Sequence, residues 1–213
     1  MTCMSVAPTV PPPTQDHRLQ VAGVLLVSIV VGIALGGLDL LAQRVLPFPW
    51  FELANSSAVW AVAAFVLGRA LGTEIVTAAV CGALMLVVAV EAYYLAAALA
   101  LDDSTANLAS RTTIIWMVLG VLAGAAFAAA GAASRLPADL YAAPAAALGA
   151  SVLFAEAATM RTGWSAAIDL ALGVVVLVAC APGTRRLLLA AAASVPMTAA
   201  VVFAFGALGF AVW

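Results

Sequence analysis

The sequence predicts an all-α protein, a polytopic bundle of seven transmembrane helices. Of its 213 residues, 66% are hydrophobic and only 8% are charged, whereas a soluble domain has about 25% charged residues. The mean hydropathy is +1.18, and a soluble fold of this length has too little interior to bury so much apolar surface. The lipid bilayer is therefore the expected environment of the chain.

Seven apolar segments are separated by short polar or turn-forming stretches, and each span needs about 20 apolar residues. The predicted spans are 20–46, 54–71, 75–101, 112–133, 140–160, 165–182 and 187–211. The second and sixth are the shortest, and the number of spans falls to six if either is re-entrant. Residues 1–18, which contain a Pro-Pro-Pro run, are predicted to be a disordered cytoplasmic tail, and 19–213 a single transmembrane domain.

The basic residues predict the orientation, because arginines in short loops favour the cytoplasmic side. All eight are arginine, and the predicted spans divide them five to three: Arg18, Arg69, Arg135, Arg185 and Arg186 against Arg44, Arg111 and Arg161. The N-terminus is therefore predicted to be cytoplasmic. The absence of lysine beside abundant alanine suits a GC-rich bacterial genome, so the predicted location is the plasma membrane of a bacterium.

Three pairs of glycines, each four residues apart, predict closely packed helices. They are Gly32 with Gly36, Gly68 with Gly72, and Gly120 with Gly124. Small residues at this spacing share one helix face and allow two backbones to approach each other. Packing within the chain is the favoured interpretation. Association with a membrane protein partner or with a second copy of the chain is the alternative.

Four carboxylates fall inside the predicted spans: Asp39, Glu91, Glu156 and Asp169. Each costs at least about 2.5–3.5 kcal/mol in hydrocarbon, so each is expected to face the bundle interior, a wet cavity or an arginine. Glu91 is the deepest, roughly 15 Å from the end of its span at 1.5 Å per residue. For the other three, structural pairing with Arg44, Arg111 or Arg161 is the favoured alternative to ligand binding.

The stretch VVAVEAYYLAA, residues 87–97, places two tyrosines beside the deepest carboxylate. Tyr94 lies one helical turn after Glu91 and on the same face, and Tyr93 lies beside it. We predict an outward-facing acidic pocket lined by aromatic residues. Glu91 would bind a small cationic solute or a proton, Tyr94 would orient it, and Asp39, Glu156 and Asp169 would set the electrostatic field.

Enzyme, metal and nucleic-acid functions are not favoured. The three cysteines form no CxxC pair and His17 is the sole histidine, whereas a zinc site needs several such ligands at close spacing. The sequence contains no HExxH, GxSxG or P-loop motif, so neither catalytic residues nor a cofactor are predicted. The formal net charge of −2 provides no basic surface for nucleic acid.

Three stretches, WFELANSSAVW (50–60), AFVLGRALGT (64–73) and EAYY (91–94), resemble an uncharacterised family of small bacterial multi-pass membrane proteins, a domain of unknown function. The resemblance implies no activity. It implies that the characteristic surface of the family includes Trp50, Asn55, Ser56, Trp60, Tyr93 and Tyr94. The chain is also similar, more loosely, to the substrate-binding membrane subunits of energy-coupling-factor vitamin transporters. In that comparison Gly32 and Gly36 would dock the transmembrane coupling partner.

The sequence therefore favours transport or binding of a small solute in the membrane. The alternative is a non-catalytic accessory or scaffold subunit of a membrane complex, in which glycine faces dock a partner and the carboxylates are paired with arginines.

Overall fold

The computed structural model describes residues 15–54, 56–101, 103–159 and 163–208. These residues form eight α-helices and one 3₁₀ helix (Thr105–Ala109). The α-helices are α1 (Gln15–Val45), α2 (Trp50–Ala54), α3 (Ser57–Ala70), α4 (Ile75–Ala100), α5 (Arg111–Ala133), α6 (Asp139–Thr159), α7 (Gly163–Cys180) and α8 (Thr184–Leu208). Of the predicted tail, residues 1–14 lie outside the described residues, and α1 already begins at Gln15.

Six of these helices are long and apolar enough to cross a membrane: α1, α4, α5, α6, α7 and α8. The predicted all-α transmembrane bundle is therefore confirmed. The span predicted at 54–71 is a shorter helix, the 14-residue α3, which is about 21 Å long at 1.5 Å per residue. The chain is a multi-pass helical membrane protein in which one of the seven predicted spans is short.

The short helix α3 still carries the chain from one end of the bundle to the other. Helices α1 and α4 run in parallel, because Gly32 lies against Met85 while Gly36, one turn later, lies against Ala89. Two consecutive long helices can be parallel only if the chain returns between them, and α3 makes that return. We call the end at which α3 begins the carboxylate end. The end at which α3 finishes, near Arg69 and Arg135, is the arginine end.

Large apolar side chains cover the outside of the bundle, and small residues fill much of its inside. Leu99, Val195 and Phe203 are 78%, 71% and 79% exposed. Most of the buried hydrophobic residues are alanines, including Ala58, Ala64, Ala78, Ala89, Ala128, Ala142, Ala143, Ala146, Ala147, Ala150 and Ala155. An exposed apolar surface of this extent requires hydrocarbon rather than water around it.

Glycine contacts explain how the helices pack. Gly124 of α5 lies against Gly82 of α4, and Gly68 of α3 lies against Ala128 of α5. Gly36 of α1 lies within 2.9 Å of the Tyr93 backbone nitrogen, measured from the position of an added Cβ. These glycine faces therefore contact neighbouring helices of the same chain, and their association with a partner stays a prediction.

Gly72, the last member of the predicted pairs, has a different role. Its φ of +70° belongs to the left-handed region, which residues with a side chain rarely adopt. It lies in the turn that follows α3, and the Arg135 guanidinium is its nearest neighbour. Gly72 thus ends α3 at the arginine end and does not pack two helices together.

We expect Gly36→Ala to lower the free energy of unfolding by about 1–3 kcal/mol, the usual cost of overpacking, because the added methyl group would collide with the α4 backbone. Gly23→Ala, in the same helix, is the matched control. A methyl group at Gly23 meets nothing within 4 Å, so the higher helix propensity of alanine is expected to stabilise it by up to about 1 kcal/mol. Thermal unfolding of the purified protein in detergent measures both, and equal effects would contradict the packing.

Candidate functional site

The N-terminus of α3 lies inside the bundle. The C-terminal end of α3 is fixed at the arginine end, where Arg69 donates a hydrogen bond of 2.7 Å to Ser134 at the end of α5. The neighbouring α6 has 21 residues, so α3 is about 10 Å shorter. Ala58, at the start of α3, is level with Glu156, which lies three residues, or about 5 Å, before the end of α6. Ser56, which caps α3, is only 1% exposed.

Glu156 of α6 satisfies this buried helix end. Its carboxylate accepts hydrogen bonds from the Ser56 hydroxyl at 2.6 Å and from the Ala58 backbone N–H at 2.9 Å. The Ser56 hydroxyl oxygen in turn accepts from the Val59 N–H. The first N–H groups of a helix have no partner within the helix, and its positive end favours an anion. Glu156 therefore supplies the hydrogen-bond acceptor and the negative charge that the buried start of α3 needs.

Asp169 of α7 lies near the same helix end but has no such partners. Its side chain is fully buried, and neither carboxylate oxygen makes a hydrogen bond within the described part of the chain. The carboxylates of Glu156 and Glu52 are close enough to repel its charge. An unpartnered buried polar group costs about 1–3 kcal/mol, and more when it is charged.

Glu52 completes this group of acids. It belongs to α2, the five-residue helix before α3, and its carboxylate accepts a hydrogen bond from the Ser165 hydroxyl. Ser165 and Asp169 are four residues apart, so they lie on one face of α7. We call Glu52, Glu156 and Asp169 the acidic cluster. Three short segments, α2 and the adjoining ends of α6 and α7, bring these acids together around the N-terminus of α3.

Asp39 belongs to a separate network on the other side of α3. Its carboxylate accepts a hydrogen bond of 3.0 Å from the Gln43 amide and a further side-chain hydrogen bond from Trp60. The Tyr93 hydroxyl donates to the Gln43 carbonyl oxygen at 3.4 Å. The network joins α1, α3 and α4. Asp39 is 8% exposed and, unlike Asp169, is well supplied with donors.

Glu91 occupies a third location. It lines a groove of about 480 Å³ between α1, α4 and the 3₁₀ helix, and among the described residues that line this groove it is the sole charged one. Within the described residues no hydrogen bond joins Glu91 to Tyr94. The Tyr94 ring packs edge-on against Tyr93, with 5.5 Å between the centroids.

The predicted single pocket thus divides into three locations, and Asp39, Glu156 and Asp169 do not surround Glu91. Arg44 and Arg111 form no ion pair with these carboxylates, while Arg161 lies outside the described residues. In the described chain the ion pairs join Asp139 to Arg185 and Arg186, at 2.6 and 2.8 Å, and they link α6 to α8 at the arginine end.

Glu52 falls between the predicted spans 20–46 and 54–71, so it was expected in a loop, and neither Gln43 nor Ser165 was among the predicted site residues. The sequence does contain a pattern that indicates Gln43 and Ser165. Each lies four residues from a carboxylate, Gln43 from Asp39 and Ser165 from Asp169, and so on the same helix face. Ser56, expected on a characteristic surface, is buried, and Asn55 lies outside the described residues.

In a comparison with known families, the model of a family of unknown function, DUF6518, matches residues 15–210 of the chain. Comparisons with curated proteins and with solved structures find no match.

We expect Glu156→Ala to lower the free energy of unfolding by about 1.5–3 kcal/mol, the value of a hydrogen bond to a charged group, because the N-terminus of α3 loses its acceptor. Glu74→Ala is the matched control. Glu74 also precedes a helix, α4, but its side chain makes no capping hydrogen bond. Thermal unfolding in detergent is the measurement. A cost at Glu74 as large as that at Glu156 would contradict the capping role.

Proposed function

The chain belongs to DUF6518, a family of unknown function, and we propose that it is a transport or solute-binding protein in which the acidic cluster binds and releases a proton. The proposal is based on the surroundings of the Asp169 carboxylate. It is fully buried, both its oxygens lack partners in the described chain, and two further carboxylates repel it. Ionisable groups at membrane depth commonly belong to ion and proton pathways.

A bound proton suits the cluster better than a multivalent metal ion. Among the described residues no three or more His, Cys, Asp and Glu side chains converge with the geometry of a metal site. A single proton on Asp169 would remove its repulsion with Glu156 and Glu52.

The buried helix end at the cluster supports a transport role. Helix α3 begins at Ser57, and its Ala58 N–H points at the Glu156 carboxylate. Transporters commonly build their sites where helix ends face the substrate or coupling ion. Asp169 lies six residues into α7, about 9 Å from its start, so the path for a proton from the carboxylate end is short.

The orientation of this site follows from the arginines. Arg69, Arg135, Arg185 and Arg186 lie at the arginine end, which the positive-inside tendency assigns to the cytoplasm. The acidic cluster would then open toward the exterior of a bacterial plasma membrane.

An accessory-subunit function is favoured by one observation. Only 11% of the apolar stretch of α8 and 17% of that of α1 are buried inside the bundle, so both helices could contact a membrane protein partner. This alternative gives Asp169 no role. A protein that moves protons through Asp169 without a partner would therefore contradict it.

In vesicles containing the purified protein, we expect a potassium diffusion potential to drive proton entry. A pH-sensitive dye trapped inside the vesicles measures the rate. Asp169→Asn is expected to reduce the rate at least tenfold, because an amide side chain does not accept and release a proton at this site. Its thermal midpoint should equal or exceed that of the wild type, since the carboxylate has no hydrogen bond in the described chain to lose. When the pH is lowered, the infrared difference spectrum of the wild type should show a band of a protonated carboxyl group that is absent from the spectrum of Asp169→Asn.

Asp103→Asn is the control for the same change of charge. Asp103 is exposed at the carboxylate end, where it accepts hydrogen bonds from Ser104 and Asn107, and this variant should keep the wild-type rate. Wild-type vesicles no more permeable to protons than protein-free vesicles would overturn the proposal, as would undiminished flux in Asp169→Asn.

A further inference from the structure

The groove that contains Glu91 is separate from the acidic cluster in both position and composition. The acidic cluster lies around the N-terminus of α3, whereas the groove lies between α1 and α4 and is also lined by Leu108 of the 3₁₀ helix. Its volume of about 480 Å³ falls within the range of small-molecule sites. The inference drawn from it rests on this groove alone and does not depend on the proposed proton site.

The walls of the groove are apolar and face the lipid. Ile33 of α1 and Leu95 and Leu99 of α4 line it, and they are 54%, 48% and 78% exposed on the outside of the bundle. A molecule dissolved in the bilayer could therefore enter from the side, between the two helices. Small residues at Gly37, Ala92 and Ala96 leave the space that the groove occupies.

Glu91 places a carboxylate among the apolar residues that line the groove. Glu91 is nine residues from the end of α4, which places it about 13 Å from that end. It forms no ion pair or hydrogen bond with any residue that the structure describes. A carboxylate at this depth is costly unless a cation accompanies it. The groove therefore combines a negative charge with a large apolar surface, and the ligand that complements both is a cation with apolar substituents.

We propose that the groove between α1 and α4 binds lipophilic organic cations, with Glu91 as the counter-ion and the apolar walls in contact with the substituents of the cation. A compact, strongly hydrated cation would lose its water on entering and would leave the walls without contacts. A cation whose charge is surrounded by aromatic or alkyl groups already dissolves in the bilayer and loses little hydration.

Tetraphenylphosphonium tests the proposal, because its charge is enclosed by four phenyl rings. Its binding to the full-length purified protein in detergent is measured at equilibrium by titration calorimetry, without any proton gradient. We expect saturable binding at one site and an affinity at least tenfold lower in Glu91→Gln. Tetraphenylborate, which has nearly the same shape and the opposite charge, is expected not to compete.

A steric variant tests the same site without changing its charge. Gly37 lines the groove, and a Cβ added there meets nothing within 4 Å, so Gly37→Leu is expected to fold normally and to weaken binding at least tenfold. Gly23→Leu is the matched control, because Gly23 lies in the same helix, also has open space at its Cβ position, and is remote from the groove. It is expected to bind as the wild type does.

Three results would overturn the proposal. The first is the absence of saturable binding by a wild-type protein that elutes as a single folded species. The second is unchanged affinity in a folded Glu91→Gln or Gly37→Leu variant, which would place the cation elsewhere. The third is effective competition by tetraphenylborate, because it would make the binding hydrophobic only. Loss of proton flux in Asp169→Asn is measured separately, so the failure of one proposal does not imply the failure of the other.

Discussion

The capping of the buried N-terminus of α3 is the interaction on which the arrangement of the polar groups depends. A helix that begins among other helices of a membrane bundle has N–H groups that neither water nor its own backbone can satisfy. Glu156 and Ser56 accept these hydrogen bonds. Because the start of α3 is held at Glu156, Trp60, one turn further on, reaches Asp39, and α2 brings Glu52 close to Asp169 at the same end of the bundle. The acidic cluster and the Asp39 network are thus two sides of one buried helix end.

Packing through small residues explains why these groups gather at one end. Along α4 and α5 the backbones touch through Gly82 and Gly124, which leaves little room for side chains between the helices. Large side chains need a glycine opposite, as Phe65 does at Gly149. Phe65 is fully buried and lies nine residues from Ser56, about 13 Å further along α3. A solute moving along α3 from the cluster toward the arginine end would have to displace this ring.

Much of the fold could be predicted because hydropathy alone identifies apolar segments of membrane-spanning length, and the long helices lie close to the predicted spans. The polar groups could be placed at the correct end, since depth follows from position in a span. Their lateral arrangement could not be predicted, because the side of a helix that faces its neighbours depends on packing. Nearly uniform alanine and leucine faces carry no signal for it. Glu91 therefore lies toward the lipid side, and Glu52, predicted to be in a loop, approaches Asp169.

Glu156 and Asp169 lie near the same helix end but differ in the hydrogen-bond donors that the protein offers them. Glu156 accepts two hydrogen bonds and stabilises the start of α3, so stability alone accounts for it. Asp169 receives no hydrogen bond in the described chain and is repelled by its acidic neighbours, so an apolar residue of similar size would give a more stable protein. Local conflicts of this kind are expected where function constrains the choice of residue. A site that must both bind and release a proton needs this balance, because a carboxylate held by strong donors would remain ionised and would not exchange its proton.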